Sequence, residues 1–146
     1  MLTVADIMTR SVYSLRETDT LLSARALMKL QRIRHIPIVG GDERFIGLLT
    51  HRDLLSATVS QLAGVDPETQ DEIDAGIPIK EIMRTDLKVV DSGATVRAAA
   101  EILLNHKYGC LPVVDDGRLV GILTEADFLK LTISLLDALE QAKPQA

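Results

Sequence analysis

The chain has 146 residues, of which 47% are hydrophobic and 3% aromatic, and its formal net charge is −5. This length suits one domain or two small ones, with a core built from aliphatic side chains. The acidic balance argues against general nucleic-acid binding, which needs a basic face. Two Tyr, two Phe and no Trp argue against single-strand binding by base stacking.

The sequence carries no sign of a membrane or secretory protein. Its one cysteine, Cys110, excludes an intramolecular disulfide framework and is typical of the reducing cytoplasm. Residues 1–10 lack the apolar core of a signal peptide, and no run approaches the ~18 apolar residues of a membrane span. We therefore expect a cytoplasmic protein with no membrane partner.

The first half of the chain shows the periodicity of alternating helices and strands. We predict a helical turn at residues 4–8, an extended piece at 12–15, strands at 33–39 and 44–49, and a helix at 53–62. A further helix follows the capping residues Thr18, Asp19 and Thr20. Its apolar side holds Leu21, Ala24, Leu27 and Met28, which leaves Arg25, Lys29 and Arg32 facing outward. Pro37 lacks a donor, so its strand should lie at an edge or leave that position unpaired.

Residues 64–78 read as a connector. They contain Pro67, Gly76, Pro78 and a cluster of acids. This composition predicts a solvent-exposed loop, with room for one helical turn.

The second half repeats the same order of elements. We predict an extended piece at 87–90, a helix at 95–104, strands at 108–114 and 119–123, and a long helix from Glu125. That helix carries an apolar stripe formed by Phe128, Leu131, Thr132, Leu135, Leu136 and Leu139. The stripe either covers the core of its own repeat or forms a subunit contact.

The two halves are copies of one unit. Residues 7–39 align with 82–114, and residues 44–53 align with 118–127 after the intervening turn. The matches include Ile7-Met8 with Ile82-Met83, Pro37 with Pro112, Gly47 with Gly121, Thr50 with Thr124, and Asp53 with Asp127. We expect a first repeat at 1–63, a linker at 64–78 and a second repeat at 79–146. The repeats should pack together, because neither is expected to bury its apolar face alone.

Each copy places the pattern Gly-x-x-Thr-x-x-Asp between a strand and a helix. The Thr and the Asp suit a capping box, in which the Thr oxygen accepts from a first-turn N–H group. Alternatively, the Thr holds a phosphate while the Asp accepts from a ribose diol. The preceding glycine permits a bulge, or close approach by another backbone or a ligand. Both interpretations remain open at this point.

Motifs of catalysis and metal binding are missing from the sequence. It has no Walker-type loop, no Gly-x-Gly-x-x-Gly and no Gly-x-Ser-x-Gly. His35, His51 and His106 lack the spacing of metal ligands. Cys110 lies near Pro112 in an apolar strand, where we expect it to be buried and inert. We expect neither an enzyme nor a metal site.

The paired units resemble the tandem CBS-domain module, named after cystathionine β-synthase, in its stand-alone Bateman-type form. The resemblance rests on Ile-Met, the apolar-Pro-apolar strand and Gly-x-x-Thr-x-x-Asp, each present twice in register, and it covers residues 1 to about 138. It implies an α/β fold of two βαββα repeats, each with a three-stranded sheet, packed through their small sheets. It also implies homodimers and an adenosyl ligand (AMP, ADP, ATP, S-adenosylmethionine or NAD) bound for regulation, with no required cofactor.

In that family, each of two clefts is lined by Thr-x-x-Asp of one unit and by the strand before Pro of the other. Carried onto this chain, the first cleft would hold Thr50 and Asp53 with Lys107, Tyr108, Gly109 and Cys110. The second would hold Thr124 and Asp127 with Ile33, Arg34, His35, Met8 and Thr9. The Asp residues would accept from ribose, and the Thr residues would donate to phosphate.

The clefts differ in charge. Arg34 and His35 stand where the first cleft has Gly109 and Cys110, and a guanidinium can pair bidentately with phosphate. We therefore predict that the Asp127 cleft binds the more highly charged ligand. Alternatively, Arg34 is a solvated edge residue and His35 is a packed histidine.

These features favour a nucleotide sensor read by an effector protein that the sequence does not identify. The alternative is a ligand-free dimerisation scaffold, in which Thr-x-x-Asp serves only as a helix cap. Nucleic-acid binding is disfavoured by the net charge of −5.

Overall fold

The chain is an α/β protein with two small sheets. The computed structural model describes residues 2–57, 66–106 and 109–142. The helices are α1 (Val4–Ile7), α2 (Leu21–Gln31), α3 (His51–Ala57), α4 (Pro67–Ala75), α5 (Val96–His106) and α6 (Glu125–Ala142). The strands are β1 (His35–Val39), β2 (Phe45–Thr50), β3 (Cys110–Asp115) and β4 (Arg118–Thr124). β1 pairs with β2, and β3 pairs with β4.

The chain divides into two compact units whose boundaries differ from those of the sequence repeats. The central unit comprises Tyr13–Leu87 and Gly117–Leu119. The terminal unit comprises Met1–Val12, Lys88–Asp116 and Val120–Ala146. The division at 1–63, 64–78 and 79–146 stays a prediction about the repeats.

The opening segment of each repeat is built into the unit that holds the body of the other repeat. In the terminal unit, the Val4 N–H donates to the Ala94 carbonyl at 2.8 Å, and Thr9 and Ile122 exchange two backbone hydrogen bonds of 2.9 Å. In the central unit, Arg84 and Leu48 exchange bonds of 2.8 and 2.9 Å. Each Ile-Met segment therefore lies beside the Gly-x-x-Thr-x-x-Asp motif of the opposite repeat.

The core of the central unit is aliphatic, as predicted. Thr20 caps α2 by accepting from the Ser23 N–H, and the apolar side of the helix packs against the β1–β2 sheet. The buried members of this core are Leu21, Ala24, Met28, Ile36, Ile38, Leu49, Leu54 and Ile79. Full burial of one such large side chain stabilises the fold by roughly 1.5–3 kcal/mol.

The terminal unit has an equivalent core around α5 and the β3–β4 sheet. Its buried members are Val4, Met8, Val90, Ala99, Leu103, Leu111, Val113 and Leu123. Thr95 accepts from the Ala98 N–H at 3.1 Å at the start of α5. Val4 and Met8 belong to this core because the first segment of the chain packs here.

Pro37 sits inside its strand without a lost hydrogen bond. Leu15 pairs with β1 on the side away from β2: its N–H donates to the Pro37 carbonyl, and its carbonyl accepts from the Val39 N–H at 2.9 Å. These backbone hydrogen bonds therefore do not require an N–H donor at Pro37. Val90 repeats this arrangement around Pro112 in the terminal unit.

The third strand of each sheet, which the family resemblance implies, is reduced to isolated bridges. Leu15 bridges Ile38 and Val90 bridges Val113, both in parallel. The extended pieces predicted at 12–15 and 87–90 supply these two residues.

The predicted loop at 64–78 contains a helix. α4 has nine residues, with Asp66 accepting from the Thr69 N–H at its start and Pro67 in its first turn. Gln70 and Asp74 are buried. Asp74 forms an ion pair with Arg25, so Arg25 is half-buried rather than outward-facing as predicted. The helix was missed because its buried residues are polar and leave no apolar period. Residues 64 and 65, like the end of the helix predicted at 53–62, lie outside the described residues.

α6 exposes most of its apolar residues. Phe128 packs against the terminal core, whereas Leu135, Leu136 and Leu139 are 51%, 53% and 63% exposed. Covering its own core therefore accounts for only the first part of the predicted stripe. No helix among the described residues is long and apolar enough to span a bilayer.

Candidate functional site

The glycine of each motif admits another backbone. A Cβ on Gly47 would lie 2.6 Å from the Arg84 carbonyl oxygen. A Cβ on Gly121 would lie 2.6 Å from Met8 Sδ and 3.0 Å from the Thr9 carbonyl oxygen. The structure shows close approach by a neighbouring segment at both glycines, and beside Gly47 it also shows a shift of strand register, between Ile38 and Val39.

Thr50 and Asp53 form a complete capping box at α3. The Asp53 N–H donates to Thr50 Oγ1 at 3.1 Å, and the Thr50 N–H donates to Asp53 Oδ2 at 3.0 Å. The Thr50 hydroxyl also donates to Oδ2 at 2.8 Å. The hydroxyl of Thr50 is thus already used within its own motif.

Asp53 also carries an ion pair. Arg84 Nε lies 3.0 Å from Asp53 Oδ1, with 52% of the Arg84 side chain and 10% of the Asp53 side chain exposed. Both carboxylate oxygens therefore have partners, and a guanidinium balances the charge.

The second motif is arranged differently. The Thr124 N–H donates to Asp127 Oδ2 at 2.9 Å, and the Thr9 hydroxyl donates to Asp127 Oδ1 at 3.0 Å. Asp127 is 6% exposed, and its hydrogen-bond partners among the described residues are neutral. Among the described residues, none forms a hydrogen bond with the hydroxyl of Thr124. Asp127 therefore differs from Asp53 in the charge of its described partners, and Thr124 differs from Thr50 in having a hydroxyl that its own motif does not use.

The structure brings some of the predicted site residues together within one unit. Met8 is buried in the terminal core, and Thr9 contacts Asp127 as the resemblance implies. Ile33, Arg34 and His35 lie at the start of β1 in the central unit. Their meeting with Asp127 in one cleft stays a prediction.

The other predicted partners of Asp53 follow α5. Lys107 and Tyr108 lie outside the described residues. Gly109 has a φ of 77°, in the left-handed region that suits glycine. Cys110 is fully buried, as expected, and burial raises the pKa of its thiol to about 12. Its side chain is therefore a neutral core group.

Sequence reasoning missed the role of Arg84 beside Asp53. Arg84 directly follows Ile82-Met83, as Thr9 follows Ile7-Met8. The repeat alignment therefore held the signal that these two residues occupy equivalent places. In the part of the chain that the structure describes, no three His, Cys, Asp or Glu side chains could hold a metal ion.

The repeated motif, the two aliphatic cores and the paired Pro strands define a tandem α/β module, and the comparisons name its family. The CBS domain family model matches residues 4–60 and again residues 79–134. The chain therefore belongs to the CBS domain family, as a pair of repeats.

Relatives and solved structures agree with this assignment. Hypoxic response protein 1 of Mycobacterium tuberculosis is 35% identical over 130 residues, which cover 89% of this chain and 85% of that protein. The structure of AcuB from Vibrio cholerae is similar with a TM-score of 0.82 and 38% identity, over 99% of both chains. CBSX2, solved in complex with AMP, has a TM-score of 0.78 and 25% identity, over 92% of this chain and 98% of that one.

Proposed function

We propose that this protein is a non-catalytic regulatory module that binds an adenosyl ligand, with AMP as the first candidate, mainly at the Asp127 motif. Membership of the CBS domain family and the AMP complex of CBSX2 support the ligand class. Binding would shift a conformational equilibrium that an effector protein reads.

The contrast between the two carboxylates carries the choice of site. Asp53 is already paired with the Arg84 guanidinium, so a ribose diol would have to compete with a charged donor. Asp127 has only neutral donors among its described partners, and the Thr124 hydroxyl beside it makes no hydrogen bond within the described residues. A ligand at Asp127 would gain two polar contacts without displacing an ion pair.

The ligand-free scaffold is the competing function, and the capping box at Thr50 and Asp53 favours it. A cap that satisfies its own helix needs no ligand to explain its sequence. On this view both motifs stabilise helices, and the exposed apolar residues of α6 mediate all function through protein contacts.

Thermal denaturation with AMP, ATP, S-adenosylmethionine and NAD separates the two functions. A ligand at 100 times its Kd adds roughly 2.7 kcal/mol to the free energy of unfolding, whereas the scaffold predicts no change with any of the four. The same titration on Asp127→Asn and Asp53→Asn variants locates the site. We expect the AMP-dependent shift to vanish in Asp127→Asn and to persist in Asp53→Asn. Equal loss in both variants would contradict the choice of Asp127.

We further propose that the protein is a homodimer that uses the exposed face of α6. Leu129, Ile133 and Leu136 recur at helical spacing and are 64%, 60% and 53% exposed. Contiguous apolar surface of this kind is more typical of an interface than of a free helix.

A further inference from the structure

A pocket in the central unit lies among basic side chains. It has a volume of about 540 Å³, within the ~300–1,000 Å³ of pockets that hold small molecules. Its lining consists of Arg25, Met28, Lys29, Arg32, Ile33, Arg34, His51 and Leu54. Met28 and Leu54 are buried and form an apolar floor, and the charged side chains stand around it.

The local folding of the chain brings these cations together. Arg25, Lys29 and Arg32 recur at helical spacing along the last turns of α2, so they share one side of it. Arg34 is placed opposite by a backbone hydrogen bond of 2.8 Å from the His51 N–H to its carbonyl. Arg32 ends α2 in the left-handed conformation, with φ of 54°.

Three of the four cations form no ion pair with a described residue. Arg25 donates a hydrogen bond from Nε to the Asp74 carboxylate and one from Nη2 to the Leu54 carbonyl. The Asp74 carboxylate therefore largely balances its charge. Lys29, Arg32 and Arg34 are exposed. Within the described ranges, no carboxylate lines the pocket or forms an ion pair with these three. A chain with net charge −5 thus concentrates unpaired positive charge around one concavity.

We propose that this pocket is a second ligand site, which takes a small, multiply charged phosphate anion. Like charges held close together repel, and a polyphosphate removes that repulsion while accepting charge-assisted hydrogen bonds from Lys29 and Arg32. The pocket shares Ile33 and Arg34 with the predicted Asp127 cleft. Lys29 and Arg32 belong to neither predicted cleft, so the site does not rest on the proposed adenosyl ligand.

Calorimetric titration of the full chain with inorganic tripolyphosphate tests the site, at fixed ionic strength because screening weakens surface electrostatics. The test variant is the double substitution Lys29→Ala, Arg32→Asn, since Asn tolerates the left-handed backbone at that position. The matched control, Lys88→Ala, Lys130→Ala, removes the same charge from two exposed lysines of the terminal unit. Melting curves without ligand verify that all variants fold.

We expect saturable binding to the unaltered protein and at least about tenfold weaker binding to the test variant, as the loss of charge-assisted hydrogen bonds predicts. The control should bind as the unaltered protein does. Absent binding, or equal weakening in both double variants, would overturn the site.

An Asp127→Asn variant distinguishes this pocket from the adenosyl site. It should keep full affinity for tripolyphosphate even where it loses AMP. Loss of tripolyphosphate binding in Asp127→Asn would place the anion in the adenosyl cleft and refute a separate site. If AMP, ATP, S-adenosylmethionine and NAD all fail to bind the unaltered protein, the proposed function is refuted, and the tripolyphosphate titration still tests the pocket.

Discussion

Arg84 and Asp53 form an ion pair in which Nε lies 3.0 Å from Oδ1. Thr9 occupies the equivalent place in the other repeat and donates its hydroxyl to Asp127 at the same distance, 3.0 Å. Equivalent positions of the two repeats thus place a charged donor beside Asp53 and a neutral donor beside Asp127. This difference gives the first prediction.

Exchanging these two residues should exchange the binding properties of the two motifs. Thr9→Arg places a guanidinium beside Asp127 and should weaken AMP binding by about tenfold or more, since a hydrogen bond to a charged group is worth roughly 1.5–3 kcal/mol. Arg84→Thr frees Asp53 and should add a second AMP site. Calorimetric affinity and stoichiometry measure both effects.

The fold should survive the Arg84 substitution, because an ion pair with one half-exposed member is worth about 0–1 kcal/mol. Lys88→Thr, at an exposed lysine of the terminal unit, is the control for a charge removed elsewhere. Unchanged AMP affinity and stoichiometry in both exchange variants would refute the electrostatic ranking of the motifs.

The two motif glycines should differ in their tolerance of a side chain. In Gly47→Ala, the new Cβ would lie 2.6 Å from the backbone oxygen of Arg84. This oxygen can move away only if the Arg84 backbone, which is hydrogen-bonded to Leu48, moves with it. We expect a loss of about 1–3 kcal/mol in the free energy of unfolding. Gly121→Ala meets the flexible Met8 side chain first and should cost less. Urea unfolding measures both.

A third glycine serves as the control for these substitutions. Gly41 has nothing within 4 Å of a built Cβ, so Gly41→Ala should stay within about 0.5 kcal/mol of the unaltered protein. A smaller loss for Gly47→Ala than for Gly41→Ala would contradict the close approach of the Arg84 segment.

Arg25 should be essential to the stability of the central unit. Its partner Asp74 has a side chain that is 1% exposed, and Gln70 Nε2 also donates to that carboxylate at 2.9 Å. Arg25→Met leaves a buried charge without its cation, which typically costs about 3–5 kcal/mol. The double variant Arg25→Met, Asp74→Leu removes both charges and should recover much of this loss. Chemical denaturation of both variants decides whether the ion pair is what holds α4 in place.

Acid should remove the stabilising contribution of Asp115. The Ser92 hydroxyl and N–H donate to its carboxylate at 2.6 and 2.9 Å, and they lower its pKa below the ordinary 3.8. Because the folded pKa is the lower one, the contribution is complete above pH 3.8 and is lost as pH falls through the folded value. Ser92→Ala should therefore lower Tm at pH 7, with the difference from the unaltered protein shrinking below pH 3.8. A difference in Tm that stays constant down to acid would show that another contact of Ser92 is responsible.

Charge placed on the exposed face of α6 should dissociate the proposed dimer. Ile133→Glu puts a carboxylate at a position that is 60% exposed in the single chain and would be buried in an interface. Light scattering after size-exclusion chromatography should show a monomer. Ser134→Glu, on the next residue of the same helix, should leave the dimer intact. A monomeric unaltered protein would refute the dimer at once.

Several features could be predicted from the sequence because they depend on interactions between residues close together in the chain. Capping by Thr20, the apolar side of α2 and the hairpin strands around Pro37 and Pro112 depend on residues a few positions apart. The repeat then placed Thr50 with Asp53 and Thr124 with Asp127 at the starts of matching helices. Composition also indicated the aliphatic cores, because aromatic residues are nearly absent.

Tertiary structure alone decided which segments meet. Val4 packs with Leu103 and Ile79 packs with Leu21 because each opening segment crosses to the other repeat's body, and no local period encodes that path. α4 is held by the buried pair of Asp74 with Arg25, residues distant in sequence whose polar character resembled a solvated loop. The ion pair of Arg84 with Asp53 likewise joins residues that are distant in sequence. Propensity and capping act over one turn, whereas an ion pair or a close backbone contact exists only once the chain has brought its partners within a few ångströms.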